Sequence, residues 1–260
     1  MKTTLVRVAA SLCVVGALGA WATCASAQSA EVKEKPRLYT YVANWVIPRA
    51  RFDDMEKAST ANQKILDGAL ASGAILGYGD DTTLVHQVEG STHDDWWTAS
   101  SVAGLLNVLD QIHQNKTGAP AVLTSATKHW DNVYISRFYG WHPGTVKGGY
   151  IHGASYKLKA DAPNDAVDTL SKGLIVPLFE KLMADGTVQA YQVAEESIHT
   201  ADPALFFIFY ISSNAEGLDK VNAAIAAAIG ANSLAGPAFG SMVDFAAHRD
   251  DLGRANASFK

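Results

Sequence analysis

Apolar positions along this 260-residue chain follow two spacings that alternate with each other. LYTYVANWVI (38–47) is dense in aromatic and β-branched residues and predicts a strand. From Arg51 to Ser72 the apolar residues Phe52, Met55, Ile65, Leu66, Ala69 and Leu70 return at helical spacing, and Gly73 is the kind of residue on which helices end. A strand through Val85, a strand at about 93–99, a helix with the apolar face Val102, Leu105, Leu106, Leu109 and Ile112, and a strand over roughly 123–137 complete a first set. A second set has a strand at 150–158, a helix from about Asn164 to Ala184, strands at 187–198 and 205–211, a helix at about 214–229 and a final segment from Phe239. Pro177 predicts a kink or break in the long helix. Ser213-Asn214-Ala215-Glu216 reads as a capping box, and HPGTVKGG (142–149) as the connector between the sets.

The two sets are copies of one unit. Gly73, Tyr78 and His86 return as Gly186, Tyr191 and His199, each displaced by 113 positions (186 − 73). Ser100-Ser101 and Ser212-Ser213 follow at matching places, so several landmarks recur in one order. Strand-helix-strand-strand-helix-strand is the ferredoxin-like unit, a four-stranded antiparallel sheet with both helices on one face. The fold class is therefore α+β, with repeats at 36–142 and 149–255. Each repeat leaves one sheet face bare, and the economical cover for it is the other repeat, sheet to sheet.

Composition adds an address. Residues 1–27 have a short basic start (Lys2, Arg7), an apolar run from about Val8 to Ala22 and the small residues Ala25-Ser26-Ala27, the layout of a secretory signal peptide. The expected location is periplasmic or secreted. Cys13 and Cys24 both fall in this leader, so the predicted mature chain relies on an ordinary core and not on disulfides. No later apolar stretch is long enough to span a bilayer, so no membrane association is expected after signal removal. The 21 basic and 26 acidic residues give a net charge of −5, and the leader contributes only basic ones. A mildly acidic chain without a Lys/Arg cluster offers nucleic acid no electrostatic footprint.

The element order, the repeat spacing and helix-end glycines of the LMADG type (182–186) resemble the dimeric α/β-barrel superfamily, in the version where two halves are fused in one polypeptide. The likeness extends over nearly all of the chain after the leader and is closest to secreted bacterial members. It implies a fused barrel. The superfamily includes cofactor-free monooxygenases, stress-responsive barrels, haem-binding chlorite dismutases and dye-decolorising peroxidases. The chain has no G-x-x-D-G peroxidase motif, so the resemblance implies a shape more than a chemistry.

Three constellations carry candidate chemistry. In KHWDNVYISR (128–137) the residues His129, Asp131 and Arg137 share strand parity, as do His248, Asp250 and Arg254 in AHRDDLGR (247–254). A carboxylate two residues from an imidazole on one face can fix its tautomer and raise its basicity, which suits a general base. The same trio also serves as a hydrogen-bonded strand end, and a turn at Asp250-Asp251 would break the second parity. These six are the candidate catalytic residues. His86 and His199 end the second strand of each repeat, an edge strand, so barrel closure is expected to bring His86 toward His248 and His199 toward His129.

HDDWW (93–97) sends His93, Asp95 and Trp97 to one face and Asp94 and Trp96 to the other, whereas its counterpart ALFFIFY (204–210) is uniformly apolar. The halves are therefore not interchangeable, and the first also holds Trp45, Trp130 and Trp141. Aromatic walls with a few polar tips suit a small organic ligand, with His86, His199, His93, Trp96 and Trp97 as candidate contacts. There is no H-E-x-x-H, no tight acidic calcium loop and no G-x-S-x-G elbow. LGYGDD (76–81) lies in a predicted strand and opens no helix, so it is not a phosphate loop. The reading is an exported small-molecule-binding barrel without a cofactor, in catalytic form a cofactor-independent enzyme on an apolar or aromatic compound. The alternatives are a haem- or metal-dependent oxidoreductase and a non-catalytic envelope or stress protein. Further association into a homo-oligomer stays open.

Overall fold

A computed structural model of the chain describes residues 31–115, 122, 124–200, 203–231 and 235–260. The signal peptide expected at 1–27, with both cysteines, lies outside the described residues. The first repeat supplies β1 (Leu38–Val46), α1 (Phe52–Ser72), β2 (Gly77–Val85), β3 (His93–Ala99), α2 (Val102–Gln114) and β4 (Lys128–Trp141). The second supplies β5 (Gly144–Leu158), α3 (Ala166–Leu170), a π-helical segment (Ser171–Ile175), α4 (Val176–Ala184), β6 (Ala190–Ile198), β7 (Leu205–Ser212), α5 (Ala215–Ala231), α6 (Ala235–Met242) and β8 (Val243–Phe259).

Within each repeat the strands lie in the ferredoxin-like order, β2-β3-β1-β4 and β6-β7-β5-β8. The edge strands of one repeat then pair with those of the other. β2 runs antiparallel to β8, from Gly77↔Phe259 to Val85↔Leu252, and β4 runs antiparallel to β6, from Val133↔Ile198 to Trp141↔Ala190. The bare faces meet as the repeat predicted, and pairing of the edges closes them into one antiparallel barrel of eight strands among the described residues. Closure satisfies the backbone donors and acceptors that four free edges would have exposed.

Alternation along each strand divides the side chains between the barrel interior and the helix-covered outside. Outside the first half, Tyr41, Ile75, Trp97, Leu105 and Val108 form a buried core under α1 and α2. Outside the second, Phe179, Leu182, Phe206, Tyr210 and Val221 do the same under α4 and α5. The helix ends match across the repeat: Gly73 and Gly186 take φ of +79° and +78°, a left-handed conformation in which glycine meets no Cβ clash. Ser101 Oγ accepts from the Gly104 N–H at 3.1 Å to cap α2. The cap of α5 is Asn214, whose Oδ1 accepts from the Gly217 N–H at 3.0 Å, one residue later than the predicted Ser213. The long predicted helix is divided as Pro177 predicted: a π-helical segment separates α3 from α4, and the proline sits in the first turn of α4, where its missing N–H costs least.

Several boundaries differ from the sequence reading: the final segment expected from Phe239 opens inside α6 and β8 begins at Val243, β6 begins at Ala190 rather than 187, and β4 runs on to Trp141. HPGTVKGG is strand rather than connector, since β5 starts at Gly144 and Thr145 and Val146 pair with Ser258 and Ala257 of β8. β4 starts at Lys128, not near 123, because Val122, Thr124 and Ser125 are helical. Among the described residues no helix is long and apolar enough to cross a membrane.

Candidate functional site

Inward-facing side chains leave a cavity of about 420 Å³ inside the barrel, within the range of small-molecule sites. At one end β4 and β8 finish, and there Trp141 stacks on Phe259 at 5.8 Å between ring centres while Trp96 tilts against the same ring at 5.8 Å, forming an aromatic floor. The connection between β2 and β3 stands at the other end, where His86, Gln87, Glu89, Gly90 and Ser91 line the cavity. β7 contributes Leu205, Phe207, Phe209 and Ile211, and Tyr134 of β4 packs against both phenylalanines, at 4.9 and 5.6 Å.

The polar interior falls into two parts. Toward β1, β4 and β6 the groups are bonded to one another. Gln192 Nε2 donates to Thr40 Oγ1 (3.0 Å) and Ser136 Oγ (2.7 Å). Asn44 Nδ2 donates to Asn132 Oδ1 (2.9 Å), and Asn132 Nδ2 donates to Glu196 Oε1 (3.1 Å) and Thr200 Oγ1 (3.2 Å). Such a network fixes the barrel wall and leaves little for a ligand.

Toward β2, β3 and β8 lie three carboxyls with far fewer partners. Asp81 and Asp94 face each other directly across the β2·β3 pair, and Asp251 comes from β8. Glycines make the room: a Cβ at Gly253 would come within 2.5 Å of Asp81 Oδ2, and one at Gly153 within 2.5 Å of Asp251 Oδ1. Asp94 Oδ2 accepts from Ser91 Oγ at 2.9 Å, but Asp94 Oδ1, Thr83 Oγ1, Thr98 Oγ1 and Trp96 Nε1 are buried without a partner. Burial, then the neighbouring charges of Asp94 and Asp251, hold the Asp81 carboxyl well above the usual carboxylate range. Burial, with help from Asp251 and Asp95, pushes Asp94 up to about 7, and burial with Asp250 pushes Asp251 up to about 6. Burial and the same acids keep the Tyr134 phenol protonated. At neutral pH the cluster thus holds both protonated and ionised carboxyls, an arrangement able to take up or release a proton.

The residues predicted from sequence are distributed around this cavity. Trp96 is part of its floor and His86 stands at its mouth, with His86 Nδ1 2.8 Å from the Gln87 carbonyl. His93 and Trp97 share the face opposite Trp96, as the alternation predicted, but that face is the outer one, so neither is the cavity contact expected of it: His93 packs edge-on against Phe52 at 4.4 Å, where burial lowers its pKa to about 4, and Trp97 Nε1 donates to the Leu105 carbonyl at 3.1 Å. His199 is exposed beyond the end of β6.

The two His-x-Asp echoes also lie outside, in matching settings. His129 stacks on Trp45 at 3.7 Å, has Nδ1 3.0 Å from the Asn44 carbonyl and Nε2 3.3 Å from Asp131. His248 stacks on Tyr156 at 4.3 Å, has Nδ1 3.0 Å from the Ser155 carbonyl and Nε2 3.0 Å from Asp250. Each imidazole joins the last strand of its repeat to the first. The strand continues through Asp250-Asp251, so parity holds in the second copy. The arginines do not complete either trio. Arg137, at the register shift of β4 between Ser136 and Phe138, pairs with Glu34, Asp168 and Glu195, and Arg254 lies over the Tyr150 ring at 4.3 Å and donates to the Gly148 carbonyl. Edge pairing occurs as expected, but the expected meetings of His86 with His248 and His199 with His129 are not made; the strand-end imidazoles bond within their own repeats or face solvent.

Asp81, Asp251, Asn44, Asn132, Tyr134 and Glu196 were not singled out from the sequence, although they line the cavity. A signal existed. Asp80-Asp81, Asp94-Asp95 and Asp250-Asp251 are three Asp-Asp pairs in strands, and a strand must send one member of each pair inward. Among the described residues no group of three or more His, Cys, Asp or Glu side chains is disposed to hold a metal ion. The interior also suits haem poorly: His86, at the rim, is the one imidazole lining it among the described residues, and the lining is rich in carboxyls, which disfavours a group that itself carries carboxylates.

No family model matches the chain, and no curated protein matches it in sequence. Solved structures match it in fold. A candidate monooxygenase from Lactobacillus acidophilus NCFM superposes with a TM-score of 0.60 at 11% identity, over 85% of this chain and 96% of that one. Another from Fusobacterium nucleatum gives 0.58 at 8% identity, over 87% and 95%. A haem-binding protein from Thermus thermophilus gives 0.51 at 10% identity, over 86% and 95%. At these identities the likeness is one of fold, and that fold is the dimeric α/β barrel.

Proposed function

We propose that this protein is exported and binds a small, largely aromatic molecule inside the barrel, with the carboxyl cluster as the group that handles a proton where the bound compound is also transformed. The observation that carries this reading is the cavity of about 420 Å³, walled by Phe207 and Phe209 of β7 on one side and by Asp81, Asp94 and Asp251 on the other, with Trp96 in its floor. Apolar walls supply most of the binding free energy in such sites, and a few polar groups fix orientation. The candidate monooxygenases among its structural relatives are consistent with a barrel that takes a small organic compound. A haem oxidoreductase is the weaker reading, given the imidazole-poor, acid-rich lining described above.

The two tryptophans of HDDWW separate site from scaffold. Calorimetric titration with small phenols should show one site per chain, lost in Trp96→Leu and retained in folded Trp97→Leu, since Trp97 lies under α2. Equal binding by both variants would contradict the interior location. N-terminal sequencing of the exported protein should begin at Gln28, and retention of residues 1–27 would contradict export by this leader.

A further inference from the structure

We propose that the ligand of the barrel is a cation, a protonated amine on an aromatic body that also carries an oxygen. This rests on the binding-barrel reading and names its substrate class.

The argument starts from charge. The cavity is lined by Asp81, Asp94, Asp251, Glu196 and Glu89, and among the described residues no lysine or arginine lines it. Of these acids, Glu196 is engaged by Asn132 and by the Thr200 N–H, whereas Asp81 and Asp94 sit face to face on neighbouring strands. Two carboxyls so placed, with a third close by, repel one another in a medium drier than water, and either protons or a cation must relieve them. Elsewhere the fold neutralises its acids with its own residues, as Arg137 does for Glu34, Asp168 and Glu195. Inside the barrel the described residues supply no such partner.

Unpartnered atoms give an independent indication. Thr98 is 3% exposed and Trp96 is 8% exposed, yet Thr98 Oγ1 and Trp96 Nε1 lack partners, and both side chains line the cavity. Asp94 Oδ1 is also without a partner. Trp45 Nε1 and His152 Nδ1 on the outer faces are unbonded too, but Asp94 Oδ1, Thr98 Oγ1 and Trp96 Nε1 belong to side chains of the cavity wall, where a ligand can supply the bonds. Asp94 Oδ1 and Thr98 Oγ1 are acceptors for an ammonium N–H, while Trp96 Nε1 is a donor and needs an oxygen on the ligand. The ring of that ligand lies against Phe207 and Phe209, which pair at 5.9 Å and are nearly parallel. An ammonium between carboxyls and aromatic faces gains from both.

Three probes sharing one aromatic body test this: tyramine (cationic), tyrosol (neutral) and hydroxyphenylpropionate (anionic), titrated calorimetrically into the full chain. At pH 8 tyramine should bind at least about tenfold more tightly than tyrosol, and the propionate most weakly. The titratable groups lining the site are Asp81 of β2, Asp94 of β3, Asp251 of β8, Glu196 and Tyr191 of β6, Tyr134 and Tyr139 of β4, Tyr210 of β7, and His86 and Glu89 at the mouth. Tyramine keeps its charge from pH 8 to pH 5 while Asp94 and Asp251 gain protons, so its affinity should fall on acidification and its binding should release protons. Asp94→Asn should reduce tyramine affinity about tenfold and leave tyrosol binding within about twofold. Equal binding of tyramine and tyrosol, or tighter binding of the propionate, overturns the cation assignment and leaves the binding barrel standing. Absence of heat and of tryptophan quenching with all three overturns both.

Discussion

β3 and β7 hold equivalent places in the two repeats, each between the first and second strands of its own sheet, and their registers correspond: His93 faces Trp45 as Phe206 faces Tyr156. What they present differs. Inward, β3 offers Asp94, Trp96 and Thr98 where β7 offers Phe207, Phe209 and Ile211. Outward, β3 offers His93 and Asp95 where β7 offers Phe206 and Ile208. A symmetric pair of β7-like strands would give an oily interior and a symmetric pair of β3-like strands a highly charged one. The duplicated fold supplies the enclosure, and divergence of one strand pair makes it amphipathic. The His-x-Asp echoes show the opposite: there the repeat stayed symmetric, and its product is the same aromatic-stacked clasp on both outer faces.

This contrast can be broken at graded cost. Phe206 is fully buried at an outward β7 position, and Phe206→Ala should destabilise the fold by about 3–5 kcal/mol, measured by urea unfolding. At its β3 equivalent, His93→Ala should cost clearly less; equal losses would mean that the two outer cores are not divided as described. On the acid wall the sign reverses. Asp81→Asn removes one of the mutually repelling carboxyls without changing shape and should stabilise the protein at pH 8 by about 1 kcal/mol or more, a rise of a few degrees in Tm.

The pH dependence follows from the same groups. A carboxyl whose pKa in the folded state exceeds its unfolded value of about 3.9 favours folding at low pH, and that contribution is lost as pH rises through the folded value. Burial and the charge of Asp80 also hold Asp95 at about 7, so Asp94, Asp95 and Asp251 act together from pH 4 to about pH 6, and Asp94 and Asp95 continue to about pH 7. His93, lowered by burial to about 4, acts in the other direction between that value and its unfolded value of about 6.5. Between pH 6.5 and pH 8 only the carboxyls contribute, and Tm should fall with rising pH, less steeply in Asp81→Asn. A flat profile would contradict a dry acid wall. The smallest effects belong to the symmetric clasps: His129→Gln and His248→Gln should each change stability by about 1 kcal/mol or less and leave tyramine binding unaltered.

Much of the scaffold was legible because periodicity and repetition record burial directly. The 113-residue displacement and the helix-end glycines implied two like units whose bare faces meet, and the parity of HDDWW placed Trp96 and Trp97 on opposite sides. The site was less legible. His-x-Asp drew attention because its residue types are chemically versatile, but parity does not say which face is the interior; Trp45 and Tyr156 decide that by stacking on the imidazoles outside. The acid wall is assembled from β2, β3 and β8, and its third member arrives only through pairing of strands 176 positions apart, as at Asp80 and Asn256. No local window of sequence contains that contact. The glycines that make room for Asp81 and Asp251 likewise acquire meaning only once their strands are adjacent.

The central claim, that three carboxyls share a poorly hydrated interior wall, is tested most directly by NMR titration of carboxyl-labelled aspartates between pH 3 and pH 9. The account predicts inflections near 6 from Asp251 and near 7 from Asp94 and, on the outer face, Asp95; the Asp94 signal is absent in Asp94→Asn, and those of Asp94 and Asp251 move downward when tyramine is added. Titration of every aspartate in the ordinary range around 3.9 would contradict it.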